Sequence, residues 1–189
     1  MLLFDPLEPW KKTKLKKGTF TLRPLMEKIF EKPFEVTTCS LADAPEDKSS
    51  AAPVGRHLDG CRIGFDAGGS DRKVSAVIDG KVVYSEEVVW FPKTNSDYHY
   101  HYEGIKSAMQ TAASKMPRVD AIGVSSAGIY INNEVRVASL FLKVPEEKFE
   151  SGVRNIYKKA AAQFGDVPLE VCNDGDVTAL AGALSLKDV

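Results

Sequence analysis

From Cys61 onward the apolar and polar positions fall into regular periods. CRIGFDA reads as an apolar strand followed by a Gly-Gly turn, and KVSAVID alternates as a second strand. Asp79-Gly80, a pair suited to a two-residue hairpin turn, joins it to a third strand, KVVYSEEVV. Ile105, Met109, Ala112 and Met116 recur at helical spacing, which predicts a helix over residues 102–116 with one buried face. DAIGVSSAG, residues 120–128, predicts a buried strand ending in small residues, and INNEVRV adds a short hairpin. Pro145 opens a predicted helix with Phe149, Val153, Ile156, Tyr157, Ala160 and Phe164 along one side, ended by Gly165. PLEVCND predicts the last strand, and the last helix follows over residues 177–184. The order is βββαβαβα. A hairpin meander that runs into strand–helix units predicts an α/β fold of ribonuclease-H-like architecture, a five-stranded mixed sheet with helices on its faces.

The chain upstream of this pattern has a different character. Residues 42–60 are polar and rich in Ala, Pro, Ser, Asp and Lys, which reads as a linker or surface loop. Before them lie a basic run, KKTKLKKG at residues 11–18, and a short helical candidate, LMEKIF at residues 25–30, stopped by Pro33. The expected division is therefore an N-terminal arm and linker, residues 1–60, and a lobe, residues 61–189. The arm reads as a solvated segment packed on the lobe. One helix does not make a DNA-binding helix-turn-helix, which needs two and a tight turn.

Composition narrows the class. With 43% hydrophobic and 27% charged residues in 189, the chain has the make-up of a soluble globular protein. A net charge of -1 gives no overall attraction to phosphate backbones, so nucleic acid is not an expected partner. No apolar run approaches the roughly 20 residues of a membrane span, and the N-terminal sequence lacks the apolar core of a signal peptide. The expected location is cytoplasmic. Cys39, Cys61 and Cys172 are too irregularly spaced for a zinc site or a disulfide framework and read as reduced.

Three segments carry candidate chemistry. In Asp66-Ala-Gly68-Gly69-Ser70-Asp-Arg72-Lys73 an acidic residue at a strand end precedes two glycines and a hydroxyl. Glycines let backbone N–H groups approach an anion, and the hydroxyl adds a donor, so the turn can cradle a phosphate. A carboxylate beside that phosphate is tolerable if it holds magnesium, directly or through water. In Asn173-Asp174-Gly175-Asp176 a strand ends in a polar pair as a helix begins. Helix capping by Asp174 or Asp176 accounts for one of these residues but not for the cluster. An Asn-Asp pair at the carboxyl end of a buried strand can bind a hydroxylated ligand and take a proton from it. Between the two lies Ser125-Ser126-Ala127-Gly128, another strand end of small residues, which close packing of strand on helix would also explain. All three are expected at one edge of the sheet, facing an open cleft.

In order and spacing these motifs resemble the ROK group of sugar kinases and regulators, within the superfamily of actin, hexokinase and heat-shock-chaperone ATPases. The resemblance covers residues 61–184. It implies that Asp174 is the catalytic base and that Asn173 binds sugar hydroxyls, with Ser126, Ala127 and Gly128 as further substrate contacts. It also implies Asp66 near a magnesium ion and Gly68, Gly69, Ser70 and Lys73 near the transferring phosphate of ATP. Ser70 stands where Thr is commoner, as in BadF-type ATPases and N-acetylglucosamine kinases, whose Ala-Gly after the fourth strand is similar to Ala127-Gly128. The ROK zinc motif, the second phosphate loop and the adenosine-binding segment are absent from the sequence. They belong to a second lobe, so the chain is expected to be the N-terminal lobe of a longer protein and inactive alone.

The expected activity is transfer of the γ-phosphoryl of ATP to a sugar hydroxyl, with ATP and magnesium as cofactors and a homodimer among the expected assemblies. Two rivals use the same fold: a non-catalytic sugar sensor, and a BadF-type ATPase switch acting on a protein partner. His99 and His101 in YHYHY read as exposed or half-buried helix surface rather than a metal pair, and Trp90 and Phe91 as cover for the sheet edge.

Overall fold

The computed structural model describes residues 22–35, 37–46 and 58–185. It divides into two compact units, Met1–Ser50 and Ala51–Val189. In the first, helix α1 (Leu22–Phe30) is followed by Glu31 with φ 55°, a left-handed residue that ends the helix ahead of Pro33. The basic run at residues 11–18 lies outside the described residues, as does most of the polar stretch before Cys61.

In the second unit, strands β1 (Cys61–Ala67), β2 (Asp71–Ile78) and β3 (Lys81–Val89) form an antiparallel meander. Asp79 and Gly80, with φ 48° and 77°, make the two-residue turn whose twist matches that of the flanking strands. Strand β4 (Ala121–Ser126) runs parallel to β1, and a later strand, Leu169–Asn173, runs parallel to β4. Between them Gly128–Ile131 (β5) and Glu134–Ala138 (β6) make the extra hairpin, which turns at Asn132 and Asn133, both at positive φ. With Leu169–Asn173 as β7, the main sheet has five strands in the order β3-β2-β1-β4-β7.

One face of this sheet carries the core. Ile63, Phe65, Val74, Ala76, Ile122, Val124 and Val171 are buried, because period-two alternation sends them all to the same side. Against them pack helix α2 (Tyr98–Ala113), through Ile105, Ala108, Met109 and Ala112, and helix α3 (Ile156–Ala161), through Ile156, Tyr157, Ala160 and Ala161. Helix α2 starts four residues before the predicted onset, because Asp97 caps it by accepting a hydrogen bond from His99 N at 3.0 Å. That bond, the His99 side chain and nearby charge hold the Asp97 carboxyl below its usual range. Its second histidine corrects the surface reading: His99 is exposed, but His101 is fully buried.

The single helix predicted after Pro145 is broken. It runs as a turn at Glu146–Lys148, a π-helical turn at Phe149–Val153, α3 and a 3-10 turn at Ala162–Phe164. Gly152 lies so close under the ring of Tyr98 that a Cβ there would stand 2.5–2.8 Å from its carbons, and the wide turn brings the backbone to that position. The predicted inward face survives the break, since Val153, Ile156, Tyr157 and Ala160 are all buried. Helix α4 (Asp174–Ser185) follows β7 without a linker and lies against β4 and β7. Among the described residues no helix is long and apolar enough to cross a membrane.

The outer edge of β7 is closed by a side chain rather than a strand. Asn133 Nδ2 donates to Leu169 O at 2.7 Å, and Val171 N donates to Asn133 Oδ1 at 2.8 Å, which satisfies groups that an edge strand leaves open. Asn133→Ala is therefore expected to lower stability by about 1–3 kcal/mol, measured as the shift in urea midpoint at constant slope. An unchanged midpoint would show that water replaces both bonds.

Candidate active site

The parallel strands end level with one another. Ala67 of β1 pairs with Ser126 of β4, and Ser126 pairs with Asn173 of β7, so the three sequence motifs begin side by side at one edge of the sheet. The carboxyl edge of a parallel sheet is where open α/β folds bind ligands, because the chain leaves the strands there into loops and helix N-termini.

A cavity of about 550 Å³ opens at this edge. Asp66, Gly68, Gly69, Ala127 and Asp174 line it together, with Ser125, Thr178 and Lys93. It thus holds two carboxylates, a glycine turn and one ammonium group. Two carboxylates with room for phosphate oxygens and water are a donor set suited to magnesium, a hard cation that keeps several non-protein ligands. Among the described residues no group of three or more His, Cys, Asp and Glu is placed to hold a metal by protein ligands alone.

The remaining candidates take other positions. Ser126 is fully buried, its hydroxyl donates to Ala67 O at 3.4 Å, and it accepts from Tyr157 OH at 3.2 Å. It is therefore a core residue rather than a substrate contact. The alternation that turns Ser126 inward turns Ser125 toward the cavity. Burial pushes the Tyr157 phenol well above its ordinary pKa, so it remains a neutral donor to Ser126. Asn173 is consumed by structure: Nδ2 donates to Gly128 O at 2.8 Å and Oδ1 accepts from Gly175 N at 2.8 Å. Asn173 and Gly128 line a neighbouring depression that the two site carboxylates do not share. Ser70 is exposed and does not line the cavity. Lys73 does not either; it lies 3.9 Å from Asp71 and 3.8 Å from Glu87 in exposed ion pairs along β2 and β3.

These bonds decide which residue caps α4. Asn173 precedes the helix and its side-chain oxygen receives the N–H of Gly175, the second helical residue, which is the N-cap bond. Asp174 is the first helical residue and is exposed. Its Oδ1 lies 3.0 Å from the same Gly175 N, a donor that Asn173 already satisfies.

Two residues that the sequence pattern read as sheet cover and helix surface, Trp90 and His101, support the site instead. Trp90, 3% exposed, donates from Nε1 to Gly68 O at 2.8 Å and from its backbone N to Ser70 O at 3.0 Å. Its role is thus to hold the turn rather than only to cover the sheet. His101 Nε2 lies 2.9 Å from Pro92 O and 3.1 Å from Leu140 O, and since carbonyls can only accept, this nitrogen donates. It joins the turn Pro92–Thr94 to Leu140, so the segments that carry two of the lining residues, Lys93 and Leu140, are tied together by one buried imidazole. The signal for these roles lies in tertiary contacts alone.

No protein-family model matches the sequence, and no curated protein matches it. Solved structures do resemble the fold. A ROK-family glucokinase from Streptomyces griseus, solved with glucose and AMPPNP, is 22% identical over 61% of this chain and 33% of that one, with a TM-score of 0.44. An inorganic polyphosphate/ATP-glucomannokinase from an Arthrobacter strain is 23% identical over 66% of this chain and 48% of that one, with a TM-score of 0.48. Thermus thermophilus RuvC, solved with a Holliday junction substrate, is 17% identical over 63% of this chain and 68% of that one, with a TM-score of 0.38. The chain thus spans less than half the length of each of these two kinases.

Proposed function

We propose that this domain is the phosphate- and hydroxyl-binding lobe of an ATP-dependent sugar kinase. One observation supports the reading most: Asp66, Gly68, Gly69 and Asp174, from two motifs more than a hundred residues apart in sequence, line one cavity at the carboxyl edge of the sheet. Phosphoryl transfer needs little covalent help from a protein and depends on positioning and charge stabilisation. Backbone N–H groups of the glycine turn hold the phosphoryl oxygens. Asp174 orients the sugar hydroxyl and removes its proton as the new P–O bond forms and the bond to the β-phosphate oxygen breaks. Asp66 would hold a magnesium ion, directly or through water, which would neutralise charge on the phosphates and leave Asp174 free as the base. The adenosine-gripping half and the rest of the sugar site are assigned to a second lobe, because these 189 residues contain no second glycine-rich phosphate loop.

The 189-residue chain is accordingly expected to bind magnesium-ATP weakly. Titration calorimetry checks this, and a dissociation constant of about 1 μM or tighter, roughly -8 kcal/mol, would overturn the two-lobe assignment. Turnover is tested on the complete protein, by following transfer of labelled γ-phosphate to a panel of hexoses. Hydrolysis of ATP with no dependence on any sugar would favour the ATPase-switch reading instead.

A further inference from the structure

The cavity contains two carboxylates, and they oppose the approach of a phosphoryl group. The glycine turn brings backbone donors but no cation of its own. Lys93 stands at this place. It is the one cationic side chain among the described residues that line the cavity. A Cβ built on Gly69 would stand 2.5 Å from Lys93 Cε and overlap its Nζ, so the ammonium group lies directly over the turn.

Its partners elsewhere are as telling. The lysines that make ion pairs do so with named carboxylates: Lys73 with Asp71 and Glu87, Lys106 with Glu103, Lys158 with Glu134. Lys93 makes no ion pair among the described residues, although Asp66 and Asp174 line the same cavity. Its backbone is nonetheless fixed. The turn Pro92–Thr94 follows Trp90, which is bonded to Gly68 and Ser70, and Pro92 O accepts from buried His101. An exposed ammonium on a braced turn, above a glycine that leaves it room, is a prepared anion contact whose stem has freedom to adjust.

We propose that Lys93 is the phosphoryl-binding cation of this site, donating from Nζ to an oxygen of the phosphate that sits on the Gly68-Gly69 turn. The proposal rests on the reading of that turn as a phosphate cradle. It gives Lys93 the part that the resemblance implied for Lys73. It also gives Gly69 a second reason to lack a side chain, since any Cβ would push the ammonium group off the turn.

Sodium tripolyphosphate, a polyphosphate without nucleoside, is the probe, and phosphorus NMR titration of the full 189-residue chain is the measurement. Wild type is expected to bind saturably, and Lys93→Ala about tenfold more weakly, the loss expected of one charge-assisted hydrogen bond. Lys93→Arg is expected to restore most of the affinity, and Lys93→Ala to lessen its dependence on salt. The thermal midpoint should not move, because the side chain is exposed. Equal affinity of wild type and Lys93→Ala overturns the role of Lys93 and leaves the turn as the cradle. Absence of saturable binding by wild type overturns both. Loss of affinity matched by a lower melting temperature makes Lys93 a structural residue and overturns the proposal as well.

Discussion

Trp90→Ala is expected to lower the unfolding free energy by about 3–5 kcal/mol, the range for removing a large buried aromatic side chain. The indole is 3% exposed, meets the ring of His101 edge-on at 6.4 Å between centroids, and lies under the Arg72 guanidinium at 5.9 Å. Gly104 of α2 approaches it so closely that a Cβ there would stand 3.1 Å from two of its carbons. The helix and the indole therefore fit only each other, and a cavity at this point cannot close by small movements. The same side chain holds Gly68 O, so its loss also frees the glycine turn. Trp90→Phe separates the two effects. It retains much of the apolar volume but leaves Gly68 O without its donor, at a cost of about 1–3 kcal/mol. Urea unfolding measures the stability of each variant, and tripolyphosphate affinity reports the turn. Should Trp90→Phe match wild type in both, the indole N–H has no part in shaping the site. That variant keeps the question open to experiment if Trp90→Ala does not fold.

The strands were legible because their signals are local. An apolar run marks β1 and alternation β2, Asp79-Gly80 has few other uses between two such runs, and small residues at the end of β4 mark the sheet edge. The convergence of three strand ends followed from topology, since parallel neighbours joined by crossovers must end at the same edge. Parity was legible too but needed to be applied. Ile122 and Val124 point to the core, so Ser126, two residues further, points there as well, and Ser125 faces the cavity. The same parity turns Asn173 to the side of Val171, where it meets Gly128 O. What sequence could not carry was the return of distant residues. His101 looks like surface in YHYHY because the carbonyls it meets, Pro92 and Leu140, lie 9 and 39 residues away along the chain. Lys93 and Lys73 look alike in a string of letters. One faces carboxylates across β2 and β3, and the other faces a glycine turn. The break at Gly152 was hidden for the same reason, as the apolar spacing of its helix stays helical while Tyr98 of α2 sets the local backbone.

On the proposed kinase reading, Asp174→Asn in a protein that carries both lobes is expected to lower kcat for sugar phosphorylation by about 10²-fold or more, because general-base catalysis typically contributes about 10²–10⁴. The rival account makes Asp174 only a helix cap, and the bonding around α4 already weakens it. Asn173 holds the N-cap place and receives the Gly175 N–H at 2.8 Å, while Asp174 is exposed on the cavity wall. Asp174→Asn keeps the size of the side chain and leaves that cap intact, so stability should change by only a few tenths of a kcal/mol. Asn173→Ala is the complementary change. It removes the cap bond and the tie to Gly128, so it is expected to reduce stability by about 1 kcal/mol or more without removing the base. The two readouts therefore exchange between neighbouring residues, chemistry at 174 and stability at 173. Steady-state kinetics of wild type and Asp174→Asn, beside a thermal melt of each, decide the assignment. Equal kcat with equal melting would remove Asp174 from the catalytic machinery and make a sugar-sensing domain the better account of the same cavity.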